Sequence, residues 1–199
     1  DDPLADAPRL SRLGAEGREV PQPLLDVGDI YRTPSLIAGQ EPQVEAIHTI
    51  VGCDLTARVL HCGATAIAGP GSRTVYVATD AAYLWLTQSV GYQWGEDWRL
   101  GSAVYRIPLD GSTPRMARTW GGPVDQLSFA EDTERGVLNV LVTALSGADA
   151  MWNSEYRRGE MALLTLPLSR FADGETPPVE TDYRRLTGLP ENGGPAQNR

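Results

Sequence analysis

The chain has 199 residues, and its 26 acidic side chains outnumber 17 basic ones, which leaves a formal charge of -9. Hydrophobic residues make up 41% of the chain, which is enough for a folded core and argues against wholesale disorder. The acidic balance argues against a nucleic-acid partner, because a phosphate backbone needs a basic surface. No apolar run reaches the ~20 residues of a membrane-spanning helix.

Residues 1–44 are a proline-rich segment. Proline fixes φ and removes a backbone donor, so this segment cannot be a central strand or a long helix. We predict an extended arm that lies on another surface or is partly mobile, with room for one short helical turn around Arg9–Leu13. The prolines are Pro3, Pro8, Pro21, Pro23, Pro34 and Pro42.

Short β-rich runs, separated by Gly, Pro and Asp, replace this pattern from Glu45 onward. Many short strands with turn signals at this spacing predict an all-β protein. The predicted strands are Val44–Cys53, Ala57–Ala68, Thr74–Thr79, Tyr83–Thr87, Ser102–Leu109, Arg115–Trp120, Val124–Phe129, Val137–Leu145, Met161–Leu168 and Val179–Leu186.

The two cysteines, Cys53 and Cys62, are nine residues apart and flank a turn-like stretch. An even pair at this spacing can bridge two neighbouring strands, and a disulfide indicates an oxidising compartment. Two reduced, buried thiols are the alternative. A metal site is less favoured, because the spacing is not CxxC and only His48 and His61 could add imidazoles. We predict no metal site and no cofactor.

An internal repeat indicates how the strands are grouped. The block Trp94–Gly101 aligns without a gap with Trp152–Gly159, at an offset of 58 residues. Each block follows a strand that ends near a threonine, Thr87 or Thr143. Similarity at a fixed period over one four-strand unit is typical of propeller blades.

We therefore predict a partial β-propeller after the arm. Residues 45–68 would supply two strands of one blade, 74–120 and 124–188 would form two further blades, and 189–199 would be a flexible tail. A propeller needs ~4 to 8 blades to close, so this part would leave open faces and edges that attract other chains. A compact β-sandwich is the alternative fold.

Several stretches of the chain match a known pattern of strands. They are Asp29–Tyr31, His48–Leu55, Thr74–Asp80 with Tyr83–Thr87, Val124–Phe129 with Val137–Thr143, and Thr187–Leu189. Over about residues 29–190 the sequence resembles the secreted bacterial and archaeal proteins with a C-terminal β-propeller distantly related to WD repeats. The resemblance implies a propeller fold and a location outside the cytoplasm, and it implies no chemistry. Those proteins are typically much longer, and the cysteine pair and aromatic insertions are not part of their pattern.

Side chains for catalysis are few. A Ser-His-Asp arrangement cannot be argued from His48 and His61, which both lie near the start. A nucleophilic pair of Cys62 with either histidine conflicts with the disulfide. Gly69–Gly71 and Gly121–Pro123 are predicted as turns, because no helix follows them as in a phosphate-binding loop. We predict no catalytic residue.

Acidic residues occur in three clusters. Paired carboxylates can cleave glycosides, but these lie beside turn-forming residues and are predicted as solvated turns. The clusters are Glu96-Asp97, Glu131-Asp132-Glu134 and Asp173-Glu175.

Two aromatic loops are the best candidates for a binding site. Loops 88–101 and 144–159 lie between corresponding strands, so we expect both on the same propeller face. Trp, Tyr and Arg are enriched at binding hot spots. The alternative is that the loops fold over the blades and bury their own aromatic rings. The candidate residues are Tyr92, Trp94, Trp98, Arg99, Trp152, Tyr156 and Arg157.

Together these features predict a non-enzymatic interaction subunit exported from the cell. It would dock onto other protein subunits, or onto the remaining blades of a longer chain, through its open blade edges, its arm and the aromatic loops. The alternatives are a fragment of an extracytoplasmic hydrolase and a glycan- or peptide-binding module that uses the aromatic loops.

Overall fold

A computed structural model describes residues 7–14, 17–56, 58, 60–88, 101–147 and 156–186, with backbone alone for 144–147 and 156–160. Its strands are β1 (Arg9–Leu10), β2 (Leu13–Gly14), β3 (Gly17–Arg18), β4 (Gln22–Pro23), β5 (Ile30–Arg32), β6 (Ala46–Asp54), β7 (His61–Gly69) and β8 (Ser72–Val77). The later strands are β9 (Ala81–Thr87), β10 (Gly101–Pro108), β11 (Arg115–Trp120), β12 (Gly122–Pro123), β13 (Phe129–Asp132), β14 (Val137–Gly147), β15 (Tyr156–Pro167) and β16 (Tyr183–Arg185).

The start of the arm is a β-hairpin. Strand β1 pairs with β4 and β2 pairs with β3, all antiparallel. The predicted helical turn at Arg9–Leu13 is therefore wrong. Gly17, the first residue of β3, adopts a φ of 118°. Glycine tolerates this conformation without strain, which allows the chain to reverse direction between β2 and β3.

The first sheet has the strand order β5-β7-β6. Strands β6 and β7 are antiparallel, and β5, which belongs to the arm, runs parallel to β7 at one edge. Cys53 lies directly opposite Cys62 in this pairing, with their Cα atoms 4.1 Å apart, and the two form a disulfide. The predicted disulfide is confirmed.

The second sheet is a four-stranded antiparallel meander, β8 to β11 in chain order. The third sheet has the order β12-β14-β15-β16, and β13 also pairs with β14. In the described part of the chain, the helical segments are three short 3-10 turns, at Val27–Asp29, Leu168–Arg170 and Glu180–Asp182. No helix among the described residues is long and apolar enough to cross a membrane.

The predicted strand Val124–Phe129 is wrong over most of its length. Leu127 N and Ser128 Oγ both donate hydrogen bonds to Asp125 Oδ1, which folds the segment into a turn. Strand β13 begins only at Phe129. The aspartate side chain thus competes with strand pairing.

Two further predictions need correction. Gly121–Pro123 is only partly a turn, because Gly122 and Pro123 already pair with Thr143 and Val142 of β14. The predicted strand Val179–Leu186 is shortened to β16, since Glu180–Asp182 forms a 3-10 turn closed by a hydrogen bond from Asp182 N to the Val179 carbonyl oxygen.

The three sheets are stacked, with the second sheet in the middle. One cluster joins its residues Tyr83 and Trp85 to Leu138 and Val140 of the third sheet. A second cluster joins the opposite face of the second sheet to Ile67 and other residues of the first. All seven residues of β9 are buried as a result. The chain is all-β, as predicted, and its described sheets do not close on themselves.

The second and third sheets are aligned strand for strand. Tyr76 of β8 stacks on Phe129 of β13, with ring centroids 5.3 Å apart. At the opposite edge Trp120 of β11 stacks on Tyr183 of β16, with centroids 5.7 Å apart. The chain passes from β11, the last strand of the second sheet, directly to β12, the first strand of the third sheet.

Candidate functional site

Both aromatic loops leave the sheets at one edge of the stack. Trp120 lies opposite Gly101, where β10 begins after the first loop. Two residues later Gly122 lies opposite Thr143, and β14 continues for four more residues to Gly147 before the second loop. Gly121 is thus close to the base of the first loop and faces the end of the third sheet from which the second loop leaves. We call this region, around Gly121 and the neighbouring ends of β9, β10, β14 and β15, the loop edge.

The predicted binding residues fall mostly outside the described part of the chain. Tyr92, Trp94, Trp98, Arg99 and Trp152 lie outside the described residues.

Tyr156 and Arg157 belong to strand β15, whose backbone pairs them with Gly147 and Ser146 of β14. Placing them in a loop at 144–159 is therefore wrong. The ladder of β14 and β15 continues past a register shift between Thr143 and Leu145.

A row of hydroxyl side chains crosses the second sheet at the loop edge. Ser72, Thr87, Ser102 and Thr119 lie opposite one another on four adjacent strands. Ser102 Oγ donates a hydrogen bond to the Gly121 carbonyl oxygen and lies 3.1 Å from Thr87 Oγ1. Thr119 Oγ1 is buried without a hydrogen-bond partner among the described residues. Ser102 thus ties the crossover at Gly121 to the second sheet.

Gln88 anchors the arm to the base of the first loop. Its backbone N–H donates to the Gly101 carbonyl oxygen at 3.0 Å, and its Oε1 accepts a hydrogen bond from Leu36 N at 2.8 Å. Its Nε2 donates to the carbonyl oxygen of Glu41 at 3.4 Å. Gly101 allows this approach, since a Cβ there would lie 2.1 Å from the Leu36 carbonyl oxygen. Sequence reasoning missed Gln88, whose one signal is a polar amide directly after a buried strand.

Arg118 holds three segments together beside the loop edge. Its Nε donates to the Gly174 carbonyl oxygen at 2.7 Å, and a terminal nitrogen donates to the Ser35 carbonyl oxygen at 2.8 Å. This arginine of β11 thereby ties the arm and the turn around Gly174 to the second sheet.

The prediction that Glu131 lies in a solvated turn is wrong. It belongs to β13, and its side chain is only 5% exposed. Its Oε1 lies 3.6 Å from a terminal nitrogen of Arg106, which belongs to the second sheet. Arg106 Nε also donates to the Tyr83 hydroxyl oxygen at 3.1 Å. Burial raises the pKa of Tyr83 to about 12, and the charge of Glu131 adds to this effect.

The other acidic clusters have different surroundings. Glu96 and Asp97 lie outside the described residues. Asp173 Oδ1 accepts a hydrogen bond from Glu175 N in an exposed turn, as predicted for a solvated cluster. In these clusters Glu131 and Asp132 thus face arginines, and Asp173 closes its own turn.

The two histidines occupy different environments. His48 is buried in the first sheet, and its Nε2 donates to the Pro70 carbonyl oxygen at 2.7 Å. Burial lowers the pKa of His48. His61 is exposed at the start of β7. Since Cys62 is in the disulfide, it cannot act as a nucleophile with either histidine.

No protein-family model, curated protein or solved structure matches this chain. The resemblance to secreted propeller proteins therefore stays a prediction. The geometry of the described residues has to support any functional proposal.

Proposed function

We propose that the chain is a non-enzymatic, extracytoplasmic protein, built as part of a β-propeller, that binds other polypeptides through the outer faces of its sheet stack. One observation carries the proposal. Among the described residues, the second sheet is covered on both faces, whereas the two core clusters join the first and third sheets to the second sheet and not to each other.

The stacking supports a propeller rather than a two-layer sandwich. In a sandwich each sheet buries one face and leaves the other in water. Here the second sheet buries both of its faces. Its inner strand β9 therefore lacks the alternation of buried and exposed residues that a half-exposed strand shows. The aligned edges and the crossover from β11 to β12 follow the blade-to-blade connection of a propeller.

Apolar residues on the two outer faces support the binding role. Ile47 and Val51 of the first sheet are 53% and 44% exposed. Leu141 and Leu163 of the third sheet are half-buried and point away from the second sheet. A sheet face that is meant for water carries polar side chains at such positions. Exposed apolar side chains on a sheet face are a feature of protein interaction sites.

The Cys53–Cys62 disulfide supports the location. Disulfides persist in oxidising compartments and are rare in the reducing cytosol. A secreted or periplasmic protein is the setting in which this bridge stays closed.

Site-specific photocrosslinking tests the binding role. A benzoylphenylalanine is placed at Val51 or Leu163 in cells that make the protein, and Leu109, an exposed turn residue, is the control. Leu109 matches Val51 in exposure, at 45% against 44%. We expect covalent adducts with polypeptides at the two face positions and few at Leu109. Equal labelling at all three positions, or none on the faces, would overturn the proposal.

The loop edge favours a second candidate function. The first loop, which carries Tyr92, Trp94, Trp98 and Arg99, starts near Gly121, and the second loop carries Trp152. Aromatic rings suit contacts with sugars and peptides. A glycan- or peptide-binding module would use this edge and leave the sheet faces to other contacts.

A further inference from the structure

Ala66 lies at the centre of the outer face of the first sheet and is completely buried. Ile67, the next residue of β7, packs towards the second sheet, so Ala66 points the other way. Its exposed fraction is 0%, yet it belongs to neither of the two core clusters. Thr49 of β6 and Ile30 of β5 flank it within the sheet. Neighbours in the same sheet leave the direction above the sheet open, so another segment of the chain has to lie over Ala66.

Leu25 of the arm is the side chain placed to cover Ala66. Among the described residues of 7–26, Leu25 alone is buried, with an exposed fraction of 3%, and it too belongs to neither core cluster. Five residues separate it from Ile30, which stands beside Ala66 in the parallel pairing of β5 with β7. The 3-10 turn Val27–Asp29 lies between them and contacts β7. This short connection keeps Leu25 within reach of the outer face at Ala66.

The residues next to Ala66 leave room for a large side chain above them. Ala64 and Ala68 lie two positions away on the same strand, so they share its face. We call these three residues the alanine strip. A leucine over alanines matches the packing inside the stack, where Ala103 of the second sheet shares a cluster with Ile67. Such alternation of large and small side chains lets facing layers interdigitate.

The hairpin formed by β1 to β4 is weakly attached to the rest of the chain. Its apolar residues Leu13 and Val20 are 83% and 76% exposed, so they do not pack on the sheets. A terminal nitrogen of Arg12 donates a long hydrogen bond, 3.4 Å, to the Leu60 carbonyl oxygen. A two-stranded hairpin by itself is only marginally stable in water. Leu25 is therefore the main apolar anchor of this hairpin.

We propose that Leu25 packs on the alanine strip and makes the hairpin a removable cover of the outer face of the first sheet. When the hairpin swings away about the turn Val27–Asp29, β5 stays paired with β7 and the alanine strip becomes accessible. An apolar side chain of a partner polypeptide then takes the place of Leu25. The arm thus competes with the partner for one surface. This inference rests on the proposed function and adds a regulation to it.

An exchange of side-chain size between Leu25 and Ala66 tests the contact. Leu25→Ala removes the anchor and Ala66→Leu fills its place, so either variant alone should release the hairpin. Trypsin cleavage after Arg18 in the native protein reports the population of the released form. We expect this rate to rise about tenfold or more in each single variant and to return close to the wild-type rate in the double variant, which conserves volume. Leu55→Ala makes the same change at a position that is 83% exposed and is the control.

Two outcomes of this experiment would overturn the inference. Rate increases that multiply in the double variant would mean that the two side chains do not touch. An unchanged rate in Leu25→Ala would mean that Leu25 does not hold the hairpin. Ala66→Val replaces Ala66→Leu if circular dichroism shows that the latter is unfolded, because valine is smaller and favours strands.

Photocrosslinking from Val51 separates this inference from the proposed function. Val51 lies opposite Ala64 on the same face. Its adducts with other polypeptides should increase several-fold in the Leu25→Ala background and stay at the wild-type level with Leu55→Ala. Equal adducts in all three backgrounds would leave the proposed function standing and overturn the removable cover. Adducts in none of them would overturn the proposed function, and the size exchange would then decide alone whether Leu25 covers Ala66.

Discussion

The Tyr183 hydroxyl oxygen accepts a hydrogen bond from the Trp120 backbone N–H at 2.8 Å, and the two rings stack. Trp120 ends the last strand of the second sheet, and Tyr183 begins the last strand of the third. Burial raises the pKa of Tyr183 far above its usual value, so the hydroxyl stays neutral. This residue pair therefore joins the second and third sheets at the point where the chain leaves the second sheet.

Removal of this hydroxyl should weaken the contact between the sheets. Tyr183→Phe keeps the ring stack but takes the acceptor from the Trp120 N–H. We expect a loss of about 1–3 kcal/mol in the free energy of unfolding, measured by urea denaturation. Tyr76→Phe is the control, because Tyr76 also stacks across the sheets but its hydroxyl has no hydrogen bond to the described residues. Equal losses in both variants would contradict the role given to the hydrogen bond.

His48 should make stability depend on pH in the acid range. Burial lowers its pKa in the folded chain, and the charge of Arg73 adds to this effect. The unfolded chain, with a histidine pKa of ~6.5, then binds a proton that the folded chain refuses. The free energy of unfolding should fall as the pH drops from ~6.5 towards the lowered folded pKa, and this contribution should be unaffected above that window.

Substitution of each histidine separates this effect from general acid unfolding. His48→Gln should flatten the stability profile between about pH 5 and 7, the range in which histidine titrates. His61→Gln, at the exposed start of β7, is the control with the same change of side chain. A profile that responds to His61 and not to His48 would refute the assignment.

The fold class and one covalent link were predictable from local patterns. The strand Arg115–Trp120 has the predicted bounds, and the Cys53–Cys62 bridge follows from a pair of cysteines flanking a turn. Both features depend on residues close together in the sequence. Alternation and turn chemistry act over such short distances, so a sequence shows them directly.

Features that depend on distant partners were not predictable. Ile30–Arg32 becomes a parallel edge strand only because β7, far along the chain, offers it an unpaired edge. Glu131 looks like a turn residue until Arg106 of the neighbouring sheet is placed beside it. The Asp125 turn was missed for the opposite reason, since the spaced apolar residues Val124, Leu127 and Phe129 suggested a strand and concealed a local side-chain hydrogen bond.

The Arg106–Glu131 pair should contribute to stability in proportion to its burial. Arg106→Met leaves a carboxylate that is 5% exposed without its cation. Removal of one partner of a buried pair costs about 3–5 kcal/mol, and we expect the lower end because Arg106 itself is partly exposed. Arg135→Met is the matched control, as Arg135 pairs with Asp132 on the surface at 82% exposure. Its loss should be below ~1 kcal/mol.

A double variant completes this test. Arg106→Met with Glu131→Leu removes both charges, so its free energy of unfolding should recover most of the loss seen with Arg106→Met alone. Chemical denaturation of the wild type, Arg106→Met, Glu131→Leu and the double variant gives the coupling energy. No recovery in the double variant would mean that packing of the arginine stem, rather than the ion pair, dominates.

The aromatic loops should be dispensable for folding and needed for binding at the loop edge. Their bases are held by contacts that involve no loop aromatic, such as Ser102 with Gly121 and Gln88 with Leu36. Trp94→Ala with Trp152→Ala should therefore leave the thermal midpoint within a few degrees of the wild type, because the described contacts at the base of the first loop remain in the variant. Trp120→Ala, which removes the stack on Tyr183, should lower that midpoint clearly.

Binding separates the two functions proposed for this edge. If the loops recognise a glycan or a peptide, titration with oligosaccharide or peptide libraries should quench tryptophan fluorescence in the wild type, and the double loop variant should show no quenching. The loop variant should still give adducts at Val51 and Leu163, because the sheet faces point away from the second sheet and not towards the loop edge. Loss of face adducts together with loss of quenching would instead mean that loops and faces form one continuous binding surface.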